Sequence, residues 1–290
     1  AIYSACESVG TFECSNPLVN QLVKNATWSQ KSNFVDIPTD CPQRERAGWT
    51  GDISCYSPTA AYLMDINKFL TKWLKDLALQ QSSDGNIGCI IPDVGLMPLL
   101  NGSAGWADAA ITVPYLLYQV YGNTKILEEQ YPSMLKWMNF LANRAQKTHI
   151  SRLFKSNPYK AYTIDSGFHF GEWLEPGSVM AKDGIKGFLS PDFEIATGCY
   201  AYSAKLVSEI ANVLGKTADA QRFHELFENI RKAYRYNYTR DGRVISKRQC
   251  KYVRPVAYDL LSDEEKQQNM ATLNQIIIQN QYKIGTGFLT

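Results

Sequence analysis

The chain has 290 residues, 45% of them hydrophobic and 20% charged, with a formal net charge of +2. This supplies apolar surface for one large domain or two small ones, and the near-neutral balance gives no electrostatic case for nucleic acid or an anionic membrane. No apolar run approaches the about 20 residues a membrane span needs.

Seven cysteines are scattered along the chain, with no Cys-x-x-Cys pair and no histidine at ligand spacing. That pattern describes neither a disulfide framework nor a zinc site. The thiols are expected to be core packing, and no metal or other cofactor is implied. The first residues, Ala-Ile-Tyr-Ser-Ala-Cys, show neither an initiator methionine nor a signal-peptide pattern, so the natural chain is expected to be longer.

Taken in order, Ser15-Asn16-Pro17 reads as a cap followed by proline at the first helical position. Leu18, Leu22, Val23 and Ala26 continue it at helical spacing towards Asn33. Residues 40–52 contain Pro42, Gly48 and Gly51, which break regular structure and predict a shaped loop. Ser57-Pro58 then reads as a second helix start. Leu63, Ile66, Leu70, Trp73, Leu74 and Leu77 form one apolar stripe ending near Ser82-Ser83-Asp84-Gly85, with Trp73 expected in the core. Residues 84–107 form a long Gly- and Pro-rich connection. Ala109 to Tyr121 predicts a helix, and Thr124 caps another that Pro132 is expected to kink or split.

Residues 148–189 read as irregular, and Ser190-Pro191 opens a helix to Leu214 stopped by Gly215. Thr217 caps the next, to about Asn237. Asp241-Gly242 marks a tight turn with a small hairpin into Val244-Ile245. Ser262 and Glu265 form a capping box for a helix to about Gln281. About eight helices with little strand, and long loops after every second helix or so, predict an all-α fold: a toroid of helical hairpins with function-bearing loops at one end.

The densest chemistry lies in 40–52, which holds Asp40, Glu45 and Asp52, Arg44 and Arg46, and Trp49. Cleaving a sugar acetal takes a carboxylic acid to protonate the leaving oxygen and a second carboxylate to activate water or attack carbon. Glu45 sits between two arginines, which favour its charged form, and four residues from a tryptophan, against which burial would favour its neutral form. Trp49 also offers a flat face for sugar C–H groups. The plainer reading is a solvated loop whose charges pair with one another.

The string Asp40-Cys41-Pro42-Gln43-Arg44-Glu45-Arg46 followed by Gly48-Trp49-Thr50-Gly51-Asp52 resembles the signature of the α-L-rhamnosidases of glycoside hydrolase family 78. The likeness extends through Ser32-Asn33-Phe34, Ile37-Pro38-Thr39 and Lys72-Trp73-Leu74-Lys75-Asp76-Leu77. It continues in Gly105-Trp106-Ala107-Asp108-Ala109, Gly171-Glu172-Trp173-Leu174 and Thr286-Gly287-Phe288-Leu289, so it covers essentially the whole chain.

This resemblance implies an (α/α)6 six-hairpin barrel, a hydrolase releasing terminal α-L-rhamnose from a flavonoid glycoside or pectic oligosaccharide with inversion, and a bacterial origin, cytoplasmic, periplasmic or secreted. It implies Glu45 as general acid, with Asp40 and Asp52 gripping sugar hydroxyls and Arg44 and Trp49 contacting the sugar. Trp106, Asp108, Glu172 and Trp173 are further substrate contacts; the plainer reading is packing for the tryptophans and helix capping for Asp108.

Eight helices fall short of twelve, so residues 1–290 are expected to be the front part of the catalytic domain, without the family's flanking β-sandwich domains. A partner chain, as in a homo-oligomer, or further residues would complete the ring. The family's general base, a glutamate in a Trp-Glu-Arg-Trp-like segment, is expected beyond Thr290. Glu172 and Glu175 are the carboxylates this chain itself offers, with Glu172 read as a substrate ligand. Lys283-Ile284-Gly285 departs from a family His-Leu-Thr pattern, and His169, in the irregular stretch before Trp173, is expected to be structural. The competing readings are a rhamnoside-binding remnant without a base, and another helical-toroid glycosidase or a polysaccharide lyase. The acidic signature loop argues against the lyase.

Overall fold

Asn16 caps the first helix as its spacing predicts: its side-chain oxygen accepts the Leu18 N–H at 3.0 Å, and Pro17 opens α1 (Pro17–Asn33). Leu18 and Leu22 lie on an exposed face of that helix, and Gln30 is the residue it buries, donating to the Ala60 carbonyl. The computed structural model describes residues 2–95, 98–153, 156–176 and 193–290. Its remaining helices, all among those residues, are α2 (Thr50–Leu63), α3 (Asn67–Gln80), α4 (Ala109–Tyr121), α5 (Thr124–Ala145), α6 (Phe193–Val213), α7 (Thr217–Tyr238), α8 (Cys250–Ala257) and α9 (Asp263–Gln279). None is long and apolar enough to cross a membrane. Strands β1 (Thr239–Arg240) and β2 (Arg243–Val244) pair antiparallel, so the class is all-α.

The helix expected to start at Ser57-Pro58 is two helices. Pro58 lies inside α2, and Ser57 Oγ reaches 3.5 Å from the Ser54 carbonyl, which Pro58 has no N–H to bond. The break falls at Met64, whose backbone is extended, and Asp65 restarts the chain by accepting the Asn67 N–H at 3.0 Å. Leu70, Trp73, Leu74 and Leu77 are all buried on α3.

Pro132 does not split α5, and the residue that caps this helix is Asn123, which accepts the Ile126 N–H at 3.1 Å, rather than Thr124. Thr217 makes no side-chain cap on α7 either. Ser190-Pro191 lies outside the described residues, and α6 is described from Phe193 to Val213, with Gly215 left-handed just beyond. The capping box of Ser262 and Glu265 on α9 is present in both directions. The hairpin forms as read, with Asp241 and Gly242 both at positive φ. Helix α8 lies in a stretch where the sequence suggested none.

The described residues form two compact units, one of residues 2–101 with 106–135 and one of 102–105 with 136–290. The first holds α1–α4 and the opening turns of α5; in it α4 packs on both α2 and α3. In the second, α6 packs along α7, and α8 packs on α9. Apolar on nearly every side, α6 is buried almost throughout, as a helix without a polar face must be.

Backbone contact at Gly48 sets the geometry of the first unit. The Ile91 N–H donates to the Gly48 carbonyl at 2.8 Å, and a Cβ on Gly48 would overlap the Ile91 carbonyl oxygen. Overpacking of this kind costs about 1–3 kcal/mol. Gly48→Ala is therefore expected to lose at least about 1 kcal/mol in urea unfolding. Gly10→Ala, whose new Cβ would sit an ordinary 3.6 Å from the nearest atom, is expected to stay within about 0.5 kcal/mol of the parent.

Candidate active site

In the first unit the segment between α1 and α2 is a loop stitched down at both ends. Thr39 returns its N–H and hydroxyl to Asn33 at the end of α1. At the other end the Thr50 N–H donates to the Cys89 carbonyl at 2.9 Å. Asp40 closes the tip: its N–H donates to the Ala47 carbonyl, and its carboxylate accepts the Ala47 N–H, both at 3.1 Å. Arg46 sits at φ 55 and donates its guanidinium to the Gln43 carbonyl.

This closure brings Glu45 back over Trp49, whose indole N–H donates to Glu45 Oε2 at 2.9 Å. The sequence leaves open whether the flanking arginines or Trp49 govern Glu45. Arg46 is spent within the loop, Arg44 is exposed, and the indole is what orients the carboxylate.

The predicted loop also runs too far, since α2 begins at Thr50. Gly51 and Asp52 belong to the first turn of α2. Gly51 is bare there because Trp106 packs against it; a Cβ would lie 2.5 Å from the indole ring. Trp106 is 3% exposed, which favours its packing reading. Asp108 is buried too, but its backbone carbonyl receives the Ile111 and Thr112 N–H groups at the start of α4, and its carboxylate makes no cap.

Asp52 carries the electrostatic signature of the site. Burial, then the charge of Asp40 and that of Glu45, outweigh the helical N–H it accepts and push its pKa up to about 6. Asp40, Glu45, Trp49 and Asp52 are thus gathered within one stretch. Donor atoms of Asp40, Cys41 and Glu45 lie within 4.8 Å of one another. As a metal set this mixes hard oxygen with a soft thiolate, and the Cys41 sulfur already accepts the Glu45 N–H at 3.2 Å.

The second unit collects the later motifs. Phe288 N–H donates to the Trp173 carbonyl at 2.8 Å, and Gly287 has no room for a side chain beside the same carbonyl. Leu289 presses on Gly105. Trp173 is half-buried, edge-on to Phe170. Glu172 is not an open ligand: its carboxylate takes the Arg254 guanidinium, the Leu289 N–H at 3.1 Å and the Thr290 hydroxyl at 2.7 Å. Glu175 likewise holds Arg248, whose Nε lies 2.9 Å from its nearer carboxylate oxygen. Both carboxylates are thus held by an arginine.

Arg254 is the residue the sequence reading missed. It is 2% exposed and spans Glu172 and Glu194; burial opposes its charge, and the two glutamates more than restore it. Gly198 of α6 leaves the space its stem fills. Lys251, one turn earlier on α8, also binds Glu194, at 2.7 Å. A lysine and an arginine at i, i+3 flanking apolar residues were the available signal. His169 is structural: its Nδ1 accepts the Ala104 N–H at 3.0 Å, and burial with the Arg144 charge holds its pKa down to about 3.

Comparison with known proteins gives a consistent picture. Residues 7–290 match the model of the bacterial alpha-L-rhamnosidase 6 hairpin glycosidase domain. An alpha-L-rhamnosidase of Streptomyces avermitilis is 39% identical over 280 residues, covering 96% of this chain and 24% of its own. One from Formosa agariphila is 35% identical over 292 residues, covering 99% of this chain and 29% of its own. The crystal structure of a Streptomyces avermitilis alpha-L-rhamnosidase complexed with L-rhamnose superposes with a TM-score of 0.85 at 35% identity, over 99% of this chain and 25% of that one. The chain therefore spans between 24% and 29% of the length of these relatives, and its fold class is that of the six-hairpin glycosidases.

The raised Asp52 pKa has a definite sign in stability. Between the ordinary 3.8 and about 6 the folded chain binds more protons than the unfolded one, so stability falls as pH rises through that window and is level above it. Relative to Asp52→Asn, the parent is expected to lose up to about 3 kcal/mol across it, read by denaturant unfolding at several pH values. A carboxyl titration followed by NMR is expected to place Asp52 near pH 6, and lower in Asp40→Asn.

Proposed function

The chain belongs to the six-hairpin glycosidase domain family of the bacterial α-L-rhamnosidases, and on that footing we propose that it carries the acid half of a rhamnoside-hydrolysing site, with Glu45 as general acid. The observation that carries the proposal is the Trp49–Glu45 bond on a loop closed at both ends. Trp49 occupies Oε2 of the carboxyl, leaving Oε1 to hold the proton and deliver it to the glycosidic oxygen as the bond to the anomeric carbon breaks. Positioning is supplied by the backbone, so little is left to solvent reorganisation.

Asp40 and Asp52 accept hydrogen bonds from sugar hydroxyls in this reading, Arg44 and Trp49 contact the sugar, and Trp106 holds the α2 start in place from beneath. The carboxylates of Asp40 and Asp52 also stabilise the positive charge that develops at the anomeric carbon in the oxocarbenium-like transition state. The substrate is a terminal α-L-rhamnoside, of flavonoid or pectic type, and the reaction inverts configuration. Inversion requires a base about 6.5–9.5 Å from the acid with water between; Glu172 and Glu175, each bound by an arginine, are not assigned that role. Trp173 and Glu172 shape the second unit's motif cluster, with Glu172 acting through the backbone of Leu289.

The test is release of L-rhamnose from aryl and alkyl α-L-rhamnosides, by this chain and by any longer polypeptide containing it, in the parent and in Glu45→Gln. The variant is expected to lose about 100-fold or more on the alkyl glycoside, less on an activated aryl leaving group that needs no proton, and to keep its affinity for L-rhamnose. An equal loss on both leaving groups would remove Glu45 from the acid role. Rhamnose binding without turnover in any form would favour a sugar-binding module.

A further inference from the structure

The second unit contains a cavity of about 590 Å³ that no part of the glycosidase reading uses, a size typical of small-molecule sites. Its walls come from the start of α6, the end of α7 and the hairpin that follows. Phe193 and Glu194 form one side, Tyr234, Tyr236 and Tyr238 another, and Arg152 and Arg240 face it with Lys251.

Its charges are unevenly balanced. Glu194, the one carboxylate in the lining, is already held by Arg254 at 2.8 Å, by Lys251 at 2.7 Å and by the Tyr234 hydroxyl. Arg254 is itself shared with Glu172. These four charged groups cancel, so among the described lining residues no acid remains to neutralise the other two cations. Among the described residues neither Arg152 nor Arg240 forms an ion pair; Arg152 lies 6.0 Å from the centre of the Phe193 ring, and Arg240 is exposed on β1. Tyr236 adds a ring that is 55% exposed, propped at 5.4 Å by Tyr159.

We propose that this cavity binds an anionic saccharide, carboxylated or sulfated, with Arg152 and Arg240 taking the anionic groups and Tyr236 stacking on a sugar face. A planar guanidinium fork matches carboxylate and sulfate geometry, where a lone ammonium would not. The exposed aromatic ring beside it selects a saccharide over a small inorganic anion, which gains nothing from an apolar face. This inference stands independently of Glu45: it concerns a different unit and different residues, and survives if the acid assignment fails.

The test is calorimetric titration of the whole chain with oligogalacturonate, a sulfated oligosaccharide, a neutral oligosaccharide of equal length and inorganic sulfate. The acidic oligosaccharides are expected to bind, more weakly as salt rises, and the neutral one not to. Arg152→Met with Arg240→Met is expected to weaken the acidic ligand at least tenfold. Tyr236→Ala, at an exposed position, is expected to weaken the oligosaccharide severalfold and leave sulfate unchanged. Equal binding of neutral and acidic chains, no binding of either, sulfate binding as tightly as the oligosaccharide, or parent-like affinity in the double variant would overturn the proposal. An oligonucleotide of matched charge binding equally well would also overturn it. Rhamnoside hydrolysis serves as the separate control, since these variants leave the 40–52 loop intact.

Discussion

The first unit depends on a backbone contact that tolerates no side chain. The Ile91 N–H donates to the Gly48 carbonyl, and Gly48 lies against the Ile91 carbonyl. The same carbonyl accepts the buried Trp73 indole N–H at 3.2 Å, so α3, the 88–91 segment and the candidate site's loop share one anchor. Glu45 lies three residues before the contact, and Trp49 and Asp52 lie within four after it. Loops carry functional groups well only when a rigid scaffold aims them, and here the aim is set by the absence of a Cβ.

The second unit is organised differently, around buried charge. Arg254 joins Glu172, in the turn before α6, to Glu194, in the first turn of α6, and both contacts are almost fully removed from water. Removing one partner of such a pair strands a charge and costs about 3–5 kcal/mol. The pairing is therefore poor evidence for net stability but strong evidence for specificity of arrangement. It also ties the 172–175 turn to residues 286–290, because Glu172 accepts the Leu289 N–H and the Thr290 hydroxyl as well as Arg254.

How far the sequence reveals this varies with the physics involved. Local chemistry was legible: Asn16-Pro17, the Ser262–Glu265 box and Asp241-Gly242 each depend on residues within a few positions, and each forms as read. Where a distant group decides, the reading failed. Ser57-Pro58 carries the marks of a helix start, yet α2 had already begun at Thr50, held by the Cys89 carbonyl far along the chain. Helix α8 is eight residues long, buries Cys250, Tyr252, Arg254 and Pro255, and carries a proline that argues against a helix when read locally. In the site, the signature loop named the residues that converge, but not that an indole rather than a guanidinium would hold Glu45. Glu172 looked like an open carboxylate because nothing in its own neighbourhood announces an arginine more than eighty positions away.

On the proposed reading, the Trp49–Glu45 bond asks two things of position 49, a flat ring face and an N–H at the right place. A phenylalanine there would keep a flat surface and let the carboxylate swing; a tyrosine carries its donor at the far tip of the ring, away from where Oε2 lies. If Glu45 is the acid and Trp49 faces the sugar, as proposed, recognition and proton delivery rest on a single residue choice. Under that proposal, affinity for a sugar ring and orientation of the Glu45 carboxyl could not drift apart one substitution at a time.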